Sequence, residues 1–275
     1  MLFMETNKRL QLILVAVAAV LAIIIAFYMG MHFGKSSAEM TSQKPPSTAA
    51  MTAEKTEMSA ESKDAPVADP NLVAGQDYSP SQTDPEVLKL MAAEIHRDKD
   101  DLRSLGSPDA PVVLVSYEDF SCPMCGVFNT NTHPALKKLV DEGKLRLEFR
   151  DMVIFPNYNS QLAHQGARAA AQQGKFWEFV DKAFAQTANG NHPNYTKELV
   201  LDIAKQAGVE NLSAFEKALE SDEIVQAVQA ETQHAREKLG LTGTPFFIIN
   251  NAVVSGAYPT EYFINTINQQ AVEAK

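Results

Sequence analysis

Cys122 and Cys125, the only two cysteines in 275 residues, lie three apart, soon after the short apolar run of residues 112–115. Residues at i and i+3 on the first turn of a helix share a face, with β-carbons about 5–6 Å apart. That is close enough for a disulfide after local adjustment. The spacing therefore predicts a strand that delivers the pair to a helix start, where a bridge opens and closes without unfolding anything. A loop this short constrains the unfolded chain little, about 2 kcal/mol on the loop-entropy model, so structural stapling is a poor reason for the pair. A structural zinc site needs four ligands and there is no second cysteine pair. His133 and His164 read as surface or packing histidines.

Upstream, Lys8 and Arg9 precede residues 10–34, which carry no charge and are dominated by Leu, Ile, Val and Ala. As a helix this stretch spans roughly 36 Å, enough to cross a hydrocarbon core of about 30 Å with some tilt. It reads as a transmembrane anchor over residues 1–35, and the positive residues on its short flank put the N-terminus in the cytoplasm. The rival is a cleaved signal peptide cut near Ser36, Ser37 and Ala38, but its apolar core is about twice the usual 7–15 residues. Residues 36–83 are rich in Ser, Thr, Ala, Glu, Lys, Met and Pro and read as a disordered linker. A flexible coil of that length holds the globular part on the order of 40 Å from the membrane. The formal net charge of −10 argues against nucleic acid as a partner.

Residues 84–275 have globular composition and suffice for one well-packed domain. Asp84, Pro85 and Glu86 form a helix start, followed by Val87, Leu88, Met91 and Ile95 at helical spacing, and this helix is expected to end near Asp101. Residues 112–117 read as a buried strand and 123–140 as one helix. In residues 144–150, Leu145, Leu147 and Phe149 alternate with charge in a strand pattern, and Arg150 and Asp151 read as an ion pair or a surface feature. A helical insert occupies about 156–238, with Trp177 and its phenylalanines as core. Two short apolar runs then flank Asn250 and Asn251 as a hairpin, and a last helix starts at Pro259.

Thiol-disulfide exchange needs one accessible, low-pKa thiolate with a second sulfur close behind it. At a helix N-terminus the Cys122 thiolate faces unpaired N–H groups and the positive end of the dipole. Cys125, one turn deeper and less exposed, is the resolving partner. Burial of both sulfurs from solvent counts against this assignment. A carboxylate near the deeper cysteine could relay a proton, and of the two acids before the pair Asp119 ranks ahead of Glu118.

Residues 105–115, 119–125 and 240–250, with Gly256 and the helical insert, carry a resemblance over about 96–275. The chain resembles the DsbA-like, thioredoxin-fold disulfide oxidoreductases, in the membrane-tethered form of bacterial envelopes. The resemblance implies an α/β, thioredoxin-like fold with an inserted helical segment, preceded by the transmembrane helix and linker. It implies that Pro245 is cis and lies against the cysteine pair, with Thr244 beside it contacting substrate, and that Pro123 and Met124 tune the redox pair. The best-known oxidising members carry histidine where Met124 stands, so a milder oxidant is expected. No cofactor and no metal enter this reading.

The function so implied is extracytoplasmic: the Cys122–Cys125 disulfide passes to unfolded or reduced exported proteins, and a membrane quinone-linked partner restores it. A reductase or disulfide isomerase on the same fold is the first alternative. The second is a membrane-anchored binding or chaperone module without redox activity.

Overall fold

In the computed structural model, residues 77–274 are described. The apolar segment 10–34 and most of the linker lie outside them, and among the described residues no helix is long and apolar enough to cross a membrane. The centre is strand β2 (Val112–Glu118), buried along its whole length. Val113, Val115 and Tyr117 enter one core with Met91, Ala235 and Ile248. Val112 and Leu114 enter another with Phe128, Leu136 and Phe263. A strand dry on both faces needs no polar alternation, which is why its first four residues are all apolar.

Strand β3 (Leu145–Asp151) pairs parallel with β2, and β4 (Phe246–Ile249) pairs antiparallel on the other side. Strand β5 (Ala252–Ser255) and a two-residue β1 (Ser104–Leu105) complete the sheet in the order β1-β3-β2-β4-β5. Two residues are too few to show a period, so β1 leaves no sequence signal. Asn250 turns the hairpin at φ 46°, and its Oδ1 accepts the Val113 N–H at 2.9 Å, tying the turn to β2.

Residues 77–82, assigned by composition to the linker, pack on the domain. Ser81 bridges Ala252, the Gln82 N–H donates to Asn251 O at 2.8 Å, and the Ser79 hydroxyl donates to Val253 O at 2.6 Å. Short polar side chains satisfy an open strand edge without burying apolar surface, so the linker boundary at 83 is too late.

Helix α1 (Pro85–Glu94) is capped by Asp84 as expected but stops well before Asp101. The N–H groups of His96 and Arg97 donate to the Glu148 carboxylate, at 3.1 and 2.8 Å, instead of continuing the helix, and Arg97 takes φ 51°. The single helix expected over 123–140 is two, α2 (Pro123–Asn131) and α3 (His133–Asp141), broken at Thr132. Pro134 has no N–H and clashes with the preceding turn, so a new helix begins with Thr132 O accepting from Ala135 and Leu136.

The insert holds α4 (Ser160–Ala171), α5 (Phe176–Phe184), α6 (Lys197–Gln206), α7 (Leu212–Leu219) and α8 (Asp222–Glu237), with 3-10 turns at Pro156–Tyr158 and Ala185–Gly190. Phe176, Phe179, Phe184, Phe215 and Ile203 form its core. Helix α9 (Thr260–Glu273) packs against the sheet through Phe263 and Ile267.

The largest departure from the sequence pattern is on β3, where Arg146, Glu148, Arg150 and Asp151 are all buried. Arg150 does not pair with Asp151 and neither is a surface residue. Arg150 donates to Glu148 at 2.7 Å, whereas Asp151 meets His164 at 2.7 Å and Arg168 at 2.5 Å. Segment 94–106 crosses this face and supplies the remaining acceptors: the Arg146 guanidinium reaches Gly106 O and Asp98 O. His164 is thus a buried hydrogen-bond partner of Asp151, and His133 is buried against Trp177 with rings 5.2 Å apart. Burial alone would raise the Asp151 carboxyl, but Arg168, His164 and Arg103 hold it far below the usual carboxylate range. Asp151→Ala removes the acceptor of the buried His164 and one of the two carboxylates that meet Arg168, and a loss of about 3 kcal/mol in denaturant unfolding is expected.

Candidate active site

The carboxyl end of β2 runs directly into the cysteine pair. Cys122 is the N-cap of α2, with extended φ −85° and ψ 116°, and Pro123 takes the first helical position, where a missing N–H costs nothing. No side chain caps this helix, so its first N–H groups are open to the Cys122 sulfur. From the distal segment, the cis Thr244–Pro245 peptide lies against the pair, with Cys122 Sγ 3.3 Å from Thr244 O. The six residues singled out in the sequence, Cys122, Pro123, Met124, Cys125, Thr244 and Pro245, therefore meet at one end of the sheet. Met124 projects outward, 47% exposed.

Both cysteines are free thiols and both are buried, which is more cover than the sequence reading anticipates for Cys122. Only Cys122 retains surface, 4% against 0% for Cys125, so it alone is reachable without opening the fold.

The two sulfurs are driven in opposite directions. The hydrogen bond from the Cys125 thiol lowers Cys122 most. Burial opposes it, but the Thr244 hydroxyl and the N–H groups of Cys125 and Met124 lower it further, to about 6. The Thr244 hydroxyl has no partner of its own in the thiol form. The Cys122 S–H faces the Thr244 carbonyl. Cys125 is pushed well above the usual thiol range by burial first, then by its hydrogen bond to Cys122 and the nearby Cys122 and Glu118 charges.

The two acids before the pair reverse their expected order. Asp119 is a structural acceptor turned away from the sulfurs, taking the N–H groups of Ile154, Phe155 and Ser121 and the Ser160 hydroxyl. Glu118 is the one under the cysteines. Burial pushes it up to about 8, against hydrogen bonds from Ser116 and Asn129, and the Cys122 charge adds to the rise. Asn129, one turn beyond Cys125, donates to Glu118 Oε2 and to Cys125 O at 3.0 Å. Strand alternation from Leu114 through Ser116 was the available signal for Glu118. Nothing in the sequence marked Asn129.

Two further features hold this end rigid. A β-carbon on Gly126 would sit 1.6 Å from Thr187 Oγ1, so glycine lets α2 close on the Ala185–Gly190 turn. The loop before α6 grips the segment ahead of Cys122. His192 bonds Ser121 O at 2.8 Å, Ser121 Oγ donates to Pro193 O at 2.9 Å, and Tyr195 donates to Phe120 O at 3.1 Å.

A thioredoxin family model matches residues 98–269, more than half of the chain. The chain belongs to the thioredoxin family. Within it this is a DsbA-like thiol-disulfide oxidoreductase. "Probable disulfide bond formation protein D" of Bacillus anthracis is 32% identical over 154 residues, covering 54% of this chain and 69% of that protein. Disulfide bond formation protein D of Bacillus subtilis is 25% identical over 169 residues, 60% of this chain and 75% of the relative. The crystal structure of a doubly substituted Wolbachia pipientis alpha-DsbA1 superposes with TM-score 0.58 at 25% identity, covering 66% of this chain and 96% of that one.

For this DsbA-like oxidoreductase, alkylation of Cys122 should titrate with a midpoint near 6. Cys125→Ala removes the strongest contributor and should raise that midpoint by about one pH unit or more. An unchanged midpoint would show that the Cys125 thiol does not set it.

Proposed function

We propose that this oxidoreductase donates the Cys122–Cys125 disulfide to reduced or unfolded exported proteins outside the cytoplasm. The observation that carries the reading is the placement of the two thiols, Cys122 at the open N-terminus of α2 against Thr244 and Cys125 wholly buried behind it, which drives their acidities apart. A client thiolate attacks Cys122 Sγ, and the Cys122–Cys125 bond breaks with its electron pair going to Cys125. That sulfur takes a proton from Glu118, because burial makes a free thiolate there costly. A second client thiolate then attacks the client sulfur of the mixed disulfide and releases Cys122 as its stabilised thiolate. The client is oxidised by two electrons and the enzyme reduced by two. A membrane quinone-linked partner accepts those electrons and restores the bridge, Cys125 returning its proton to Glu118. Thr244 and Pro245 contact the client backbone, and the exposed Met124 gives it an adaptable apolar surface.

The apolar segment 10–34 anchors the domain with its N-terminus in the cytoplasm, and disulfides persist in the compartment beyond. Relatives whose names denote disulfide bond formation support the direction and the bacterial setting.

The magnitude of the thiolate effect bears on a second reading, a reductase or isomerase. Lowering Cys122 to about 6 favours the reduced form at pH 7 by roughly tenfold, equivalent to about 30 mV. With Met124 where a second positive group could stand, this describes a mild oxidant. Equilibration with glutathione separates the readings: a potential distinctly above about −270 mV supports the oxidase, and one near that value supports a reductant. The mechanism has its own check. Cys125→Ala should accumulate a mixed disulfide with a reduced unfolded protein through Cys122, whereas Cys122→Ala should form none. Failure to trap any client on Cys125→Ala removes the mechanism.

A further inference from the structure

We infer that Asn129 is a positioning residue for proton exchange between Glu118 and Cys125, holding the carboxyl beneath the sulfur by binding both to one turn of α2. The inference rests on the reading of Glu118 as the proton partner of Cys125.

The geometry is specific. Asn129 is buried at the position four residues after Cys125. Its one amide nitrogen carries two donors, and both are used within the pair: one goes to Glu118 Oε2 and the other to Cys125 O at 3.0 Å. The side chain therefore bridges the end of β2 to the turn of α2 that carries the deeper sulfur. An apolar residue would fill the same site without desolvating an amide, so packing alone does not account for asparagine here.

The amide also responds to charge. It donates strongly to a carboxylate and weakly to a carboxylic acid, so it offsets part of the burial that keeps Glu118 protonated. When the Cys122–Cys125 bond breaks, the electron pair settles on Cys125 and the proton leaves Glu118. The Asn129 N–H is then already aimed at the oxygen that gains charge. On reoxidation the proton returns from Cys125 to Glu118 as the Cys125 sulfur attacks Cys122 and expels the partner's thiolate.

Few other groups act on Glu118. From α2 it is faced by Cys122 and Cys125, and from its own strand by the Ser116 hydroxyl. Asp151, its neighbour on β3, is turned to His164 and Arg168. Asp119 is turned to the Ile154 and Phe155 amides. Among the described residues no lysine or arginine forms an ion pair with Glu118.

The test uses the full-length protein with glutathione preloaded on Cys122. The rate at which Cys125 expels that glutathione is followed against pH, beside Cys122 alkylation in the reduced protein. Asn129→Leu should move the midpoint of the expulsion profile upward by about one pH unit and leave the alkylation midpoint within a few tenths. Glu118→Gln should abolish that midpoint, and Asn129→Leu added to Glu118→Gln should change nothing further. Should Asn129→Leu lose its near-ultraviolet circular dichroism, Asn129→Ser, which also drops the amide donors, carries the same expectation. A folded Asn129 variant with the wild-type expulsion midpoint overturns the inference while Glu118→Gln still shows its effect. If Glu118→Gln itself leaves the profile unchanged, the reading of Glu118 fails instead.

Discussion

The dryness of β2 on both faces is the constraint on which the rest of this molecule depends. A strand enclosed by two cores has a low-dielectric end, and whatever ionises there is governed by its few neighbours and not by water. Glu118 is held protonated to about pH 8 and Cys125 is pushed above the usual thiol range because they occupy that end. Cys122, one step further on, reaches helix N–H groups and the Thr244 hydroxyl and is driven the other way. Three groups within eight residues thus acquire three different acidities from position alone.

Dryness also has a structural cost, visible on β3. Its Leu145 and Leu147 enter the core of Val112 and Leu114, and Phe149 enters that of the insert, yet the alternate residues are charged and equally buried. The fold accommodates them by using segment 94–106 as a cover whose carbonyls and N–H groups meet Arg146, Glu148 and Arg150. Such an arrangement is sensitive to loss of any one member, because the remainder are then buried without partners. It also explains why α1 is short: the N–H groups that would extend it are committed to a carboxylate.

The order of elements, the hairpin at Asn250, the helical insert and the convergence of Cys122 with Thr244 and Pro245 were legible in the sequence. Each has a local signature: a continuous apolar run, a turn residue tolerant of positive φ, a period near 3.6, or a motif paired with a distant one. What escaped has no local signature. The break at Thr132 depends on how Pro134 competes with an otherwise good helical pattern. Burial of the β3 charges depends on a segment forty residues upstream. The choice of Glu118 over Asp119 depends on which face of a strand end points at α2, and the packing of residues 79–82 on serines that look like solvated sequence until a strand edge is set beside them.

Those serines have a bearing on how such a domain survives its surroundings. Strand β5 has an unpaired side, and an open strand rim is a template on which an unfolded polypeptide can add itself and seed aggregation. Ser79, Ser81 and Gln82 occupy that rim with the chain's own backbone, and the opposite rim is a strand of two residues. Both rims of the sheet thus offer an unfolded polypeptide little lateral foothold.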